Sequence, residues 1–246
     1  MAAGAPTIKH LTLELGGQNP MIVFPDADPE KAAVNAVAAM NLARSMGQSC
    51  GSASRVFVHR DIKERFVVAL TKRLGELKVG DPLDDDTDMR PLAFRGHYER
   101  VMGYVQAGLD EGAELVHGGK RPARLSQGFF LEPTAFSGVT MDMKIANEEI
   151  FGPVMAVLEW DDYESMIDQV NAVPLGLTGN VWTNDISLAL RTARRIESGY
   201  ISVNGTGKRP AGSPFGGFKT SGIGKESCLE EMLSYGREQS VTVTLT

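Results

Sequence analysis

The chain holds 246 residues, 42% hydrophobic and 23% charged, with 27 Gly, 12 Pro and a formal net charge of −6. That length can bury a sizeable core, while an acidic balance with no Lys/Arg block excludes a protein that tracks nucleic-acid phosphates. No apolar run is long enough to span a membrane, residues 1–6 lack the basic-then-apolar start of a secretory signal, and two cysteines outside any CxxC pair point to a reducing, cytoplasmic setting.

Strand-like and helix-like runs alternate, as in an α/β layer architecture. Residues 10–15 read as a strand that breaks at Gly16-Gly17, and residues 21–24 as a second. Residues 29–44 carry Ala, Val and Leu at helical spacing behind an Asp28 cap, with Pro29 in the first turn. A strand over 55–59, helices over 62–77 and 95–111 and a short apolar run over 114–117 follow. Strands over 154–160, 179–183 and 200–203 complete the series, with helices over 163–171 and 185–196 between them. The closing residues 240–246 read SVTVTLT, a strict alternation that suits a strand pairing with something else.

The first chemically informative segment is Leu13-Glu14-Leu15-Gly16-Gly17-Gln18-Asn19-Pro20. It sets a carboxylate at a strand end beside two glycines, where the backbone can turn sharply and a ligand can approach; a solvated Glu before a turn fits the same residues. The second, Gly47-Gln48-Ser49-Cys50-Gly51-Ser52-Ala53-Ser54-Arg55, places a thiol in a small-residue loop between a helix and a strand. Amides from Ser49 to Gly51 can there face a bound oxygen, so Cys50 suits a nucleophile with its own oxyanion site. An inert buried cysteine is the alternative. None of His10, His59, His97 and His117 stands at ligand spacing from Cys50 or from another histidine, so no metal site is expected. The third segment, Asn147-Glu148-Glu149-Ile150-Phe151-Gly152-Pro153-Val154, joins two carboxylates to an aromatic and a Gly-Pro turn, or is simply the loop entering the next strand. The fourth, Pro214-Phe215-Gly216-Gly217-Phe218-Lys219-Thr220-Ser221-Gly222, is Gly-rich with two aromatics. It matches neither GxxxxGK[ST] nor a strand–GxGxxG–helix unit, which argues against a phosphate cradle.

Taken in order, LELGGQNP, GQSC, EEIFGPV and PFGGFKTSG form a series that resembles the aldehyde dehydrogenase family, and the intervening NAVPLGLTGNVWT and GYISVNG are similar to that family as well. The likeness runs from about residue 8 to the last residue. It implies an α/β catalytic domain with a mostly parallel sheet flanked by helices and a C-terminal oligomerisation strand. It also implies that Cys50 attacks an aldehyde carbon to give a thiohemiacetal, that hydride leaves to NAD or NADP, and that the resulting thioester is hydrolysed with Glu14 as general base. By the same resemblance Leu15 and Gly16 lie beside the nicotinamide, Glu149 holds the ribose hydroxyls with Phe151 packed nearby, and Asn204, Arg209 and Phe215 face the substrate. The domains it implies are a strand over 1–16 leading from a nucleotide-binding half, a catalytic thiol domain over 17–235 and an oligomerisation strand over 236–246 that builds a homo-oligomer.

Two departures qualify this. Glu14 and Cys50 are 36 residues apart, slightly more than in many members of the family, which suggests a separate subgroup. The family's nucleotide-binding half precedes LELGG, and most of it is not found ahead of that motif, so the chain alone is expected to lack dehydrogenase activity. A cofactor-independent thiol esterase and a non-catalytic assembly module therefore stand beside the oxidoreductase. Lys208 and Arg209 bring two positive charges into an acidic chain, as a solvated loop or as a grip on an aldehyde that carries a carboxylate. Cys228 falls in KESCLEEML, which reads as helix, and is expected to be unreactive.

Overall fold

The computed structural model of the chain describes residues 1–206 and 209–245. A 3-10 turn, Ala2–Thr7, leads to β1 (Leu13–Glu14) and then to β2 (Pro20–Val23), all four residues of which are buried. Helix α1 (Pro29–Ala39) begins where the Asp28 carboxylate accepts from the amides of Glu30 and Lys31, both at 3.0 Å. The expected helix over 29–44 is not continuous. Met40 closes α1, Asn41 takes a left-handed backbone at φ 56°, and the chain restarts as α2 (Leu42–Ser45). Asparagine tolerates that conformation better than most side chains.

The remaining elements are β3 (Arg55–His59), α3 (Arg60–Gly75), α4 (Arg95–Asp110), β4 (Glu114–His117), β5 (Thr134–Val139), α5 (Lys144–Asn147), β6 (Val154–Trp160) and α6 (Tyr163–Asn171). After them come β7 (Leu175–Gly176), β8 (Thr178–Trp182), α7 (Ile186–Arg195), β9 (Tyr200–Val203), β10 (Phe218–Lys219), β11 (Gly222–Ile223) and α8 (Leu229–Ser234). Seven strands form one sheet in the order β4-β5-β6-β3-β2-β8-β9, parallel throughout except for β4, which runs antiparallel to β5. Strands buried on both faces read as continuous apolar runs, as Val56, Phe57 and Val58 do. Met21, Val23, Val56 and Val58 pack toward α1 and α3 through Ala32, Ala36, Phe66 and Leu70. Ile22, Phe57, Ala156 and Leu158 pack on the other face against Val101 and Val105 of α4, Met166 and Ile167 of α6 and Ala189 of α7. The result is the expected α/β architecture, a mainly parallel sheet flanked by helices.

Parallel pairing has a consequence for the motifs. The segments before β2, β3, β6 and β8 all arrive at the amino ends of adjacent strands, so residues 15–19, 46–54, 148–153 and 177 are gathered along one edge of the sheet.

Three expectations change. The strand over 10–15 shortens to Leu13–Glu14, which pairs only with β11. Strand β5 was not foreseen: Thr134–Val139 mixes Ser, Gly and Thr with its apolar residues, and it earns its place by pairing between β4 and β6. Residues 240–245 form no strand; Val241, Val243 and Leu245 are exposed. A strand needs a hydrogen-bonding neighbour, and none of the described residues pairs with this segment. Thr246, the last residue of that expected strand, lies outside the described residues. No helix among the described residues is long and apolar enough to cross a membrane.

Candidate active site

Cys50 is half-buried in the loop entering β3, and Asn19 at the mouth of β2 holds that loop. The Asn19 amide nitrogen donates to the carbonyls of Cys50 at 2.7 Å and Ser52 at 2.8 Å, while its oxygen accepts from the Thr178 amide at 2.9 Å. One buried side chain thus ties β2, the thiol loop and β8 together. Gly17 permits the close approach, because a side chain there would bring its Cβ to 2.2 Å from the Cys50 carbonyl oxygen. Beneath it, the buried Arg55 guanidinium donates to the Gln18 carbonyl at 2.9 Å and the Val170 carbonyl at 3.0 Å. Burial without a carboxylate partner pulls its pKa down to about 9.

The loop before β6 closes the second side. Glu149 accepts from the Gly17 amide at 2.8 Å, and its other carboxylate oxygen lies where a Gly16 side chain would start, at 2.2 Å from an ideal Cβ. Phe151 adopts φ 57° and shares a recess with Cys50, Asn41 and Arg44. The Phe151 carbonyl meets His97 Nε2 at 2.7 Å, and the Glu149 carbonyl accepts from Arg100 at 2.6 Å, so α4 steadies this loop.

The fourth motif returns from far along the chain. β11 pairs with β1 and sets Gly222 against Glu14, while the buried Ser221 hydroxyl donates to the Gly16 carbonyl at 2.6 Å and accepts from the Gly176 amide at 2.9 Å. Backbone bonds between Phe215 and Glu226 and a 2.8 Å bond from Lys225 Nζ to the Gly216 carbonyl bring that hairpin over Glu14. Both Glu14 carboxylate oxygens are shielded from solvent and have no hydrogen-bond partner among the described residues.

The electrostatics follow from this crowding. Burial raises the Cys50 pKa above its ordinary value, and the charges of Glu14 and Glu149 raise it further, against a smaller pull from the amides of Cys50 and Gly51. Burial and the Glu226 charge raise Glu14, partly offset by Lys225 and Arg209. The resting pair is therefore a protonated thiol beside a carboxylate more basic than one in water. A general base is then needed to make the thiolate.

Leu15 is half-exposed above the site, its amide bonded to the Ser221 carbonyl at 2.9 Å. An open cleft of about 350 Å³ adjoins the recess of Cys50 across the shared walls Asn41 and Arg44. Of the expected substrate residues, Arg209 and Phe215 line this cleft. Asn204 does not line it: its amide is turned to Thr183, accepting from the backbone nitrogen at 3.1 Å and donating to the carbonyl at 2.7 Å. Lys208 lies outside the described residues. Cys228, expected inside a helix, is instead the buried residue that precedes α8. Sequence reading missed Asn19 and Arg44. An Asn ahead of a strand-opening Pro and an Arg just before a Gly-bounded thiol loop were the available signals.

The family model described as "Aldehyde dehydrogenase family" matches residues 1–241. The betaine aldehyde dehydrogenase of Brucella anthropi is 42% identical over 247 aligned residues, covering 100% of this chain and 50% of that protein. That of Mesorhizobium japonicum is 43% identical, covering 96% and 48%. Among solved structures, the NAD+ complex of an aldehyde dehydrogenase from Bacillus cereus superposes with a TM-score of 0.93 at 40% identity, covering 100% of this chain and 49% of that one. An NAD-dependent aldehyde dehydrogenase from Sinorhizobium meliloti gives 0.92 at 38% identity, covering 99% and 48%. The chain spans about half the length of the curated relatives it matches. With the family model matching nearly its whole length and the fold shared at this identity, the chain belongs to the aldehyde dehydrogenase family.

Proposed function

We propose that this chain carries the thiol chemistry of an NAD- or NADP-dependent oxidation of an aldehyde to a carboxylic acid. The observation that supports it most is the convergence on Cys50 of two carboxylates, Glu14 and Glu149, brought from separate motifs. In this reading Glu14 takes the thiol proton, Cys50 sulfur adds to the aldehyde carbon, and the Cys50 amide faces the developing oxyanion. The chemistry that NAD or NADP supplies, when bound, is acceptance of a hydride. Once it has released that first proton to solvent, Glu14 takes a proton from the water that hydrolyses the thioester and passes it to the departing sulfur, releasing the acid and restoring the thiol.

The residues present fit the nicotinamide end of such a cofactor. Glu149 offers a carboxylate to vicinal ribose hydroxyls, and the Gly16-Gly17 backbone beside it has no side chain to obstruct approach. Leu15 and Phe151 give that place apolar walls. We take the hydride step to require a nucleotide-binding half as well, and the 246 residues alone to retain only acyl transfer through Cys50. A cytoplasmic setting, in which Cys50 and Cys228 stay reduced, and assembly of like subunits through residues 240–246 belong to the same proposal.

The test is burst kinetics with a nitrophenyl ester. Wild-type chain should acylate at one equivalent and turn over slowly, and Cys50→Ser should show no burst. A burst that survives in Cys50→Ser overturns the assignment of the nucleophile.

A further inference from the structure

On the reading of Cys50 as nucleophile given above, we infer that the adjoining cleft selects aldehydes whose far end carries an anionic group such as a carboxylate, held between Arg44 and Arg209. Arg44 and Arg209 both line the cleft, and among its described lining residues there is no Asp or Glu. Arg44 also walls the recess that contains Cys50, so a molecule whose carbonyl reaches the sulfur extends past Arg44 into the cleft. Among the described residues neither arginine is paired with a carboxylate; the arginine ion pairs are made by Arg60, Arg65, Arg73, Arg95 and Arg195. Two guanidinium groups with no direct ion pair, Arg209 meeting the Glu14 charge only at longer range, make a site for planar oxyanions, which they can grip through two oxygens.

The polar wall agrees with this. The Ser202 hydroxyl, 2.6 Å from the Asn180 amide oxygen and 3.0 Å from the Gly205 carbonyl, gives that wall neutral polar groups and no negative charge. The cleft volume of about 350 Å³ is at the small end of ordinary ligand sites, enough for a short aldehyde acid.

A cationic aldehyde fares worse. Recognition of a quaternary ammonium relies on open aromatic faces. Tyr200 and Phe215 line the cleft with ring centroids 6.1 Å apart, but the Arg209 guanidinium already lies over the Phe215 ring at 4.1 Å. A cation already covers Phe215, which among the described lining residues leaves only Tyr200 to offer an open ring. The relatives are named for betaine aldehyde, and this cleft has the opposite charge preference.

Thiol labelling of the chain separates the possibilities without any cofactor. Cys50 is labelled by sulfonatoethyl methanethiosulfonate, by its trimethylammonium counterpart of similar size and by neutral iodoacetamide, with mass spectrometry resolving Cys50 from Cys228. The anionic-to-cationic rate ratio should exceed that of the urea-unfolded chain by about tenfold, and Arg44→Ala and Arg209→Ala should each reduce it by a comparable factor. Arg209→Lys should keep part of the preference. In wild-type chain a short aldehyde acid should protect Cys50 at lower concentration than betaine aldehyde, a comparison that needs no variant. Equal ratios in folded and unfolded chain, or better protection by betaine aldehyde, overturn the inference while leaving Cys50 as nucleophile. A Cys50 that fails to react even with iodoacetamide overturns the nucleophile and the inference together.

Discussion

Replacing Asn19 by Ala removes three hydrogen bonds at once and leaves the Thr178 amide buried without a partner, while the Ser52 carbonyl keeps its bond from the Ser54 amide at 3.0 Å and the Cys50 carbonyl can still turn to water. A buried polar group left unpaired costs about 1–3 kcal/mol and each of the two other lost hydrogen bonds about 0.5–1.5 kcal/mol, so with a small cavity the total is about 3–5 kcal/mol. Typical domains hold about 5–15 kcal/mol, and with a urea slope of about 2–3 kcal/mol per molar the midpoint should fall by about 1–2 M. Asn19→Asp sharpens the reasoning. Its carboxylate can still accept from Thr178 but directs charge at two carbonyls, so its folded pKa is raised. Stability is then present below the unfolded carboxyl value and lost as the pH climbs through the folded one. The assay is urea unfolding by tryptophan fluorescence (Trp160 and Trp182 are both buried) at pH 4 and pH 8. Asn19→Asp should be close to wild type at the lower pH and resemble Asn19→Ala at the higher. A midpoint shift below about 0.3 M for Asn19→Ala, or a flat pH response for Asn19→Asp, refutes the role assigned to this side chain.

Gly17→Ala should slow iodoacetamide labelling of Cys50 more than tenfold in a chain that still folds by circular dichroism, because the new Cβ displaces the Cys50 carbonyl. Glu14→Gln removes one of the two charges that raise the thiol, so the pH midpoint of Cys50 labelling should move down while remaining above that of a free thiol, since burial persists. The same variant should raise the urea midpoint at pH 7 but not at pH 4, because a carboxyl whose folded pKa is raised begins to cost stability as the pH passes its unfolded value and costs it in full above the folded one. In ester turnover Glu14→Gln should slow deacylation more than acylation, and equal slowing of both phases would count against water activation. Cys228→Ser should leave the acylation burst unchanged, since the residue is buried ahead of α8; loss of the burst would place it at the site.

Much of the architecture was legible because a parallel sheet writes itself as apolar runs. Strands β3, β4, β6 and β9 and helix α6 fall at the residues where the periodicity put them. What escaped was settled by long-range contacts. Strand β5 has weak local character and exists through its two neighbours. The helix over 29–44 breaks at Asn41 because the chain must turn there toward the thiol loop, which spacing of Ala and Leu does not express. Residues 240–245 carry the pattern of a strand and have no pairing partner among the described residues. At the site, residue types suggested a thiol and a base, but the contact of Glu149 with Gly17 spans 132 residues and that of Ser221 with Gly16 spans 205. No local pattern reports such meetings. The cleft was half visible, through Arg209, whereas Arg44 became meaningful only once α2 turned it toward Cys50's recess.

The two adjacent glycines before Gln18 impose different constraints on sequence change. At Gly17 an added methyl meets the Cys50 backbone oxygen, which no second substitution can shorten. At Gly16 the three nearest atoms all belong to the Glu149 carboxylate. Gly16 is therefore required only while Glu149 is present, and the two positions should be epistatic. Gly16→Ala, harmful alone, should become close to neutral for folding in a Glu149→Ala background, whereas no single side-chain truncation should rescue Gly17→Ala. Drift of the Glu149 position would release Gly16 and leave Gly17 invariant, so the fold keeps one glycine for its backbone and the other for a carboxylate.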